Sequence, residues 1–446
     1  MEMNMTKGNP FHLILHFTIP LFLGNAFQQL YNMADSVIVG KFVSANALAA
    51  VGSTGTIMFL VLGIAIGLTT GFSVMTSQYF GADDQQGVRY SVTGGMLMSV
   101  AFGVLITILS LLAMPTLLRL MNTPDEIYAE ALTYINIICI GTTAILFYNL
   151  FAAFLRAIGN SRVPLFFLIF SAVLNVFLDL LLIIGFHLGV AGAAIATVSA
   201  QGFSAILCAG YIYMKVDVLR PRRSDWKLYL PCCAKQLAIG IPMALETGIT
   251  ASGTVIMQAA LNIYGTVSIA GSTAAYKVVN LLSQGLYSIG QTMASYSGQN
   301  FGAGDIGRIH QGTRAAMKLC VVYSLVTAAL GVIFLPYLIR LFFSGDVSLA
   351  EIMPWAKIAH NECAALYIAL GAIFVYRNTL QGCGYSVQAM TMGIIELSAR
   401  VVMAVISIRV HSYPLAIGAD PAAWLTAGVF GWILYRWLLS ERRFAI

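Results

Sequence analysis

Charge is what this chain has least of. Asp, Glu, Lys and Arg make up 9% of its 446 residues, against roughly a quarter in soluble domains. Hydrophobic residues make up 59%, and the mean hydropathy is +0.83. No soluble fold can hide that much apolar surface, so lipid has to be the solvent. The few charges sum to +6, but they sit in short loops between apolar runs. That placement is a topology signal and argues against a nucleic-acid partner. Histidine is sparse and dispersed (His12, His16, His187, His310, His360, His411). A membrane-embedded transferase would need His or Asp-rich motifs clustered near one face, so an enzyme is disfavoured. The cysteines lack metal spacing: Cys139, Cys208, Cys320, Cys363 and Cys383 are scattered and Cys232-Cys233 are adjacent. They read as small core or loop residues. No glycine pattern lies between a strand and a helix, which removes phosphate-loop readings.

What is present is a series of long apolar runs. In lipid every backbone group needs an internal partner, leaving helix bundles and closed barrels. Runs near 20 residues, rather than alternating segments of about 10, select helices. The expectation is an all-α membrane protein with about 12 transmembrane helices. In the first half they fall near 11–38, 47–79, 90–114, 128–155, 163–186 and 190–215. In the second they fall near 236–264, 268–299, 311–341, 353–380, 386–409 and 421–440. The first run is broken by Gln28, Gln29, Asn32 and Asp35, which marks a retained helix rather than a signal peptide. The most polar stretch contains Arg220-Pro-Arg-Arg-Ser-Asp225. It divides the chain into an N-terminal six-helix lobe (1–215), a linker (216–235) and a C-terminal six-helix lobe (236–446).

The halves repeat. Pro115-Thr-Leu-Leu-Arg-Leu120 recurs as Pro336-Tyr-Leu-Ile-Arg-Leu341, and Gln78-Tyr-Phe-Gly-Ala82 as Gln299-Asn-Phe-Gly-Ala303. Each Phe-Gly-Ala is followed by an Asp (Asp84, Asp305), and Ile19-Pro20 pairs with Ile241-Pro242. Six spans per repeat make the lobes parallel, related by a pseudo-two-fold axis along the membrane normal. With both termini and the linker placed in the cytoplasm, most Lys and Arg fall on that side. Such duplicated bundles are the architecture of a transporter.

Ionisable groups within spans cost at least about 2.5–3.5 kcal/mol and ask for a reason. Gln28, Asn32 and Asp35 are spaced i, i+4, i+7 on one face of the first helix, a stripe that cannot face lipid. Pro20 earlier in that helix permits a hinge. Asn175 and Asp179 share a face of the fifth helix at i, i+4. A buried carboxyl beside an amide can take a proton, or a cation such as Na⁺ through oxygen ligands. The structural alternative is an Asn/Asp pair tying two helices together. Tyr134, Asn149 and Thr197 offer further oxygens, each also consistent with helix packing. In the second half, Glu246 and Lys277 either line a substrate cavity or serve packing. Glu362 lies near the start of the tenth span, and Glu396 and Arg400 neutralise each other at i, i+4. Gly63-Ile-Ala-Ile-Gly67 is a GxxxG element for close helix approach. Frequent Met, Phe and Tyr would suit greasy aromatic cations.

Taken together these motifs resemble the multidrug and toxic compound extrusion (MATE) family, closest to its DinF-like branch. The resemblance rests on Ile19-Pro20, Asn32-Met-Ala-Asp35-Ser-Val-Ile-Val-Gly40, the paired Gln-x-Phe-Gly-Ala, Leu155-Arg-Ala-Ile-Gly-Asn160, and Asn175 with Asp179. It covers nearly the whole chain. It implies a V-shaped pair of lobes that alternate between outward- and inward-open states. Coupling is then carried by Asp35, Asn175 and Asp179, with Tyr134 and Thr197 matching further site positions and the first helix bending at Pro20. The implied function is an antiporter exporting organic cations or drugs for H⁺ or Na⁺. No cofactor is expected, and a monomer is expected in the cell membrane. A flippase for lipid-linked or polysaccharide precursors is the alternative, and would want a larger basic cavity than Lys277 and Arg400 provide. The repeat does not carry the acidic site across: Asp35 maps near Met257 and Asp179 near Ala404. Ion coupling is therefore expected in the first half alone.

Overall fold

A computed structural model describes residues 3–226, 229–340 and 349–440. Leu341, which ends the second proline repeat, lies outside the described residues, as do 227–228 of the linker and both chain ends. The described residues are helical, without strands. The helices are α1 (Pro10–Phe42), α2 (Ala45–Ser53), α3 (Gly55–Gly81), α4 (Gln85–Leu120), α5 (Asp125–Ile140), α6 (Thr142–Ala157), α7 (Arg162–Asp179) and α8 (Gly189–Lys215). They continue as α9 (Leu230–Leu261), α10 (Thr266–Gly302), α11 (Ile306–Arg340), α12 (Leu349–Ala365), α13 (Tyr367–Gly382), α14 (Ser386–Val410), α15 (Tyr413–Ile417) and α16 (Ala419–Leu438).

Helices stand at all twelve expected positions, several in two pieces. Eight helices are long and apolar enough to cross a membrane alone. Two more spans are bent pairs, α5–α6 by 47° and α12–α13 by 49°. The helices at the two remaining positions, α10 and α15–α16, are more polar. They can be, because much of each packs on protein rather than lipid: Gly271, Ser272, Ser288, Thr292, Ser295 and Asn300 of α10 are all buried. Lipid-facing surface shows the opposite composition. Val100, Val104, Leu105, Ile108, Leu109 and Leu112 of α4 are exposed, which costs nothing in hydrocarbon.

By contacts the chain forms two compact units. Unit 1 holds Met1–Asn4 and Leu23–Gly248, and unit 2 holds Met5–Phe22 and Ile249–Ile446. Thus α1 and α9 each pass from one unit to the other, and each has a proline (Pro20, Pro242) before its crossing point.

In unit 1, Gly67 and Gly71 of α3 face the first part of α9. A methyl group on Gly67 would sit 2.8 Å from Ala244 Cα, and one on Gly71 would strike Gly240 Cα. Gly63 meets the Thr247 side chain in the same way. The GxxxG element is therefore extended by one more turn, with backbone meeting backbone at Gly67 and Gly71 and a side chain filling the space at Gly63. Buried Gln236 fixes the same part of α9, donating to the Phe72 carbonyl at 3.0 Å and the Ser91 carbonyl at 2.8 Å. Before α9, Asp225 pairs with Arg89 of α4 at 3.1 Å and Tyr229 stacks on Tyr90.

Unit 2 holds the start of α1 by comparable means. Met5 N–H donates to Gln299 at 2.8 Å, Arg308 donates to the Met5 and Gly8 carbonyls at 3.0 Å, and Thr18 and Thr292 hydroxyls meet at 2.8 Å. The sequence repeats have local explanations. Asp84 and Asp305 accept from the N–H groups of Gly87 and Arg308, each at 2.8 Å, and so cap α4 and α11. Gly159 has φ +84°, and a side chain there would collide with the Met3 carbonyl. Asn160 next to it caps α7 by accepting from Val163 N–H at 3.1 Å.

Candidate functional site

Unit 1 buries two acidic side chains against each other. Asp35 of α1 is 8% exposed, and Asn175 and Asp179 of α7 are fully buried. The Asp35 and Asp179 carboxyls are hydrogen-bond partners. The i, i+4 spacing on α7 stacks Asn175 one turn from Asp179. The Asn175 amide, in the orientation that satisfies both its ends, donates to Asp179 Oδ2 at 3.1 Å. It accepts from Thr197 N–H at 3.3 Å. Thr197, on α8, is 4% exposed, and its side chain is a partner of the Tyr31 hydroxyl. Tyr134 of α5, 2% exposed, stands within electrostatic reach of both carboxyls and Tyr31. Four spans thus converge on one polar cluster, and apolar packing by Ile38, Val39, Ile138, Ile183 and Val190 surrounds it.

The cluster is electrostatically incomplete. Among the described residues neither carboxyl has an ion-pair partner. Oδ1 of Asp35 and Oδ1 of Asp179 are buried without a hydrogen bond. Two carboxyls in contact, away from any cation, repel when both are ionised. The arrangement can hold a proton between them, or a cation among the carboxylate, amide and hydroxyl oxygens.

Of the residues marked in the sequence, Asp35, Asn175, Asp179, Tyr134 and Thr197 meet here. Asn149 does not: its amide donates to the Ile145 carbonyl of its own helix at 2.8 Å. Gln28 and Asn32 separate from Asp35. Asn32 is exposed and Gln28 half-buried, with 3.5 Å between their side chains. The residue that shares the buried site with Asp35 is Tyr31, one turn earlier, which the polar stripe did not single out. A Tyr in an apolar helix carries no signal of its own, although its i, i+4 spacing from Asp35 does. Glu246 is buried in unit 1, whereas Lys277 belongs to unit 2 and is exposed on α10 beside Thr273 and Asn280.

Unit 2 also buries charge, but in balance. Glu396 and Arg400 do pair, at 3.0 Å, yet they are half of a larger network. Arg377 of α13 binds the other Glu396 oxygen, and Asp420 of α16 binds Arg400 Nε at 2.7 Å. Two arginines and two carboxylates cancel, so this cluster has no charge left for an ion to supply. All seven cysteines are buried and unpaired.

Comparisons with known proteins agree with this architecture. The MatE family profile matches residues 20–181 and 242–406. The probable multidrug resistance protein YpnP of Bacillus subtilis is 31% identical over 402 residues, covering 88% of this chain and 87% of that protein. The probable multidrug resistance protein NorM of Thermotoga maritima is 24% identical, covering 95% and 89%. Among solved structures, an outward-facing multidrug resistance MATE transporter of the MOP superfamily gives a TM-score of 0.91 at 22% identity. It covers 99% of this chain and 98% of that one. A MATE structure in complex with MaL6 gives 0.90 at 21% identity, with the same coverage.

Proposed function

We propose, from the premise that this chain belongs to the MatE family of membrane transporters, that it is an ion-coupled antiporter exporting organic cations. The chain is a multi-pass membrane transporter and not an enzyme. The observation that carries the coupling reading is the buried Asp35–Asp179 contact, which among the described residues has no Lys or Arg ion pair. In the loaded state one proton bridges the two carboxyls and lets them touch. Loss of that proton leaves two like charges in contact, a state relieved by separation or by a cation entering. Na⁺, held by the same oxygens with Asn175 and Thr197, is the alternative coupling ion. Ion and substrate then favour different states of the transporter, which is the linkage an exchanger needs. Asp35 with Asn175 and Asp179 is the set that associates the chain with the DinF-like branch.

For substrate, the reading follows the relatives named as multidrug resistance and export proteins. Polar residues exposed on spans, such as Asn32 on α1 and Thr273, Lys277 and Asn280 on α10, cannot face lipid and line water-filled space instead. Drugs and dyes with cationic and aromatic parts suit such surfaces among many Phe, Tyr and Met side chains. A precursor flippase is less well supported, since Arg377 and Arg400 are engaged by Glu396 and Asp420.

Dye efflux from proteoliposomes tests this, with a pH gradient or a Na⁺ gradient imposed one at a time. Wild-type protein responds to one of them. Asp35→Asn and Asp179→Asn lose at least about tenfold in gradient-driven rate while still inserting. Normal rates in both variants would overturn the assignment.

A further inference from the structure

Directly after Asp179 the helix changes type. Residues Leu180–Gly185 form a π turn. The wide pattern continues in the bond from Phe186 N–H to the Leu181 carbonyl at 3.1 Å, and a six-residue bond from Leu188 N–H to the Leu182 carbonyl at 3.0 Å closes the helix end. It ends at His187, which takes a left-handed backbone with φ 55°.

Local sequence does not demand this. Leu180-Leu-Leu-Ile-Ile184 has no proline or glycine before Gly185 closes the turn, and leucine is among the better α-helix formers. The wide turn is therefore held by its surroundings. Two contacts hold it. Ile183, 4% exposed, packs in the cluster that contains Tyr134 and the Ile38-Val39 pair just past Asp35. On the other side α8 comes close at Gly192, where a methyl group would lie 3.2 Å from the Leu182 carbonyl carbon and 3.3 Å from Ile183 Cγ1. The outer side is unconstrained by protein: Leu181, Ile184 and Phe186 are exposed. A turn that prefers α by sequence and is π by packing is held against its local preference, and it loses that hold when the packing changes. Single π turns inside α-helices are frequent at functional sites.

We propose that Leu180–Gly185 is a two-state π/α switch that converts ion occupancy of the Asp35–Asp179 pair into movement of the end of α7. The inference rests on the coupling reading above. With the carboxyls in contact, Asp179 is held toward α1, Ile183 seats beside Tyr134, and the turn is π. When the pair separates, Asp179 is released and the segment rewinds to i→i+4 bonding. Rewinding narrows the helix and turns Ile183 relative to Asp179. The contact with Gly192 then shifts α8, which carries Thr197. An event at one carboxyl would thus reach two spans without a large local displacement.

Hydrogen exchange on the intact chain tests this in lipid nanodiscs. It compares wild type with Asp179→Asn, which at an alkaline pH holds the pair at the single negative charge of the proton-bridged state. Amides of residues 180–188 are expected to differ by at least about threefold between the two proteins, with 162–174 unchanged. Equal exchange over 180–188 overturns the switch. Deleting Ile184 removes the extra residue that a π turn accommodates and fixes the α form. That variant should bind dye about as wild type does and lose at least about tenfold in gradient-driven efflux. Wild-type efflux from it also overturns the switch, and if it does not fold the exchange comparison decides. The two failures are separable. Carboxyl variants that transport normally sink the coupling reading, whereas inactive carboxyl variants with uniform exchange sink only the switch.

Discussion

At the residue scale the two units treat buried charge in opposite ways. Unit 1 leaves Asp35 and Asp179 uncompensated, and unit 2 closes Arg377, Glu396, Arg400 and Asp420 into a neutral set. The difference predicts different kinds of mutant. Glu396→Gln removes the anion between two buried arginines and should cost about 3–5 kcal/mol, because both buried positive charges lose the carboxylate they share. Arg377→Met combined with Glu396→Leu removes one charge of each sign and leaves Arg400 with Asp420. Its cost should be well below that of Glu396→Gln alone, and thermal unfolding in detergent compares them. Asp35→Asn, by contrast, should leave the unfolding temperature near wild type or raise it. Sequence made part of this visible. The spacing of Asn175 and Asp179 shows a shared face, and an acid in a span draws attention by itself. Contact between α1 and α7 has no such signature, nor does a Tyr at position 31. Arg377 and Asp420 carry no signal either, since each lies near a helix end in sequence, where a charge needs no explanation.

At the element scale, what matters most is where spans break and how closely they approach. Apolar run length located every span, but it did not show that Gly141 and Leu366 split the fourth and tenth spans into bent pairs. It also missed the π turn within the fifth. Such breaks are set by neighbours. At Gly141, for example, the place of a side chain is occupied by Val198 of α8. The glycine seam was legible as a pattern, whereas its partner helix was not. The geometry predicts that Gly67→Val forces the first part of α9 off α3. The cost is about 1–3 kcal/mol, typical of overpacking, and appears as a lowered unfolding temperature. Gly52→Ala, at an open position, is the control and should leave stability unchanged.

At the scale of the whole molecule, the expected orientation is testable without further structure. Both termini and residues 216–235 are proposed to face the cytoplasm, from the distribution of Lys and Arg. In right-side-out vesicles, a cysteine placed at Ser224 should resist a membrane-impermeant maleimide until the membrane is opened, whereas one at Asn122 should react at once. The reverse pattern would invert the topology. The internal duplication was plain in sequence because Asp84 and Asp305, or the two Phe-Gly-Ala turns, solve the same local problem twice. The membership of each unit was not plain, since it depends on which bundle receives the beginning of α1 and of α9.

That membership bears on how the protein could be assembled from parts. A gene cut within 216–235 would yield two polypeptides that match the sequence halves but not the folded units. The first product would lack residues 236–248, leaving Gly63, Gly67 and Gly71 facing an empty groove. The second would lack residues 5–22, leaving Gln299, Asn300 and Arg308 without the backbone they grip. Each fragment made alone should be a poor folder and a substrate for membrane proteases, and the two made together should rescue one another. Each half of the duplicated sequence is in this way finished by a segment encoded in the other.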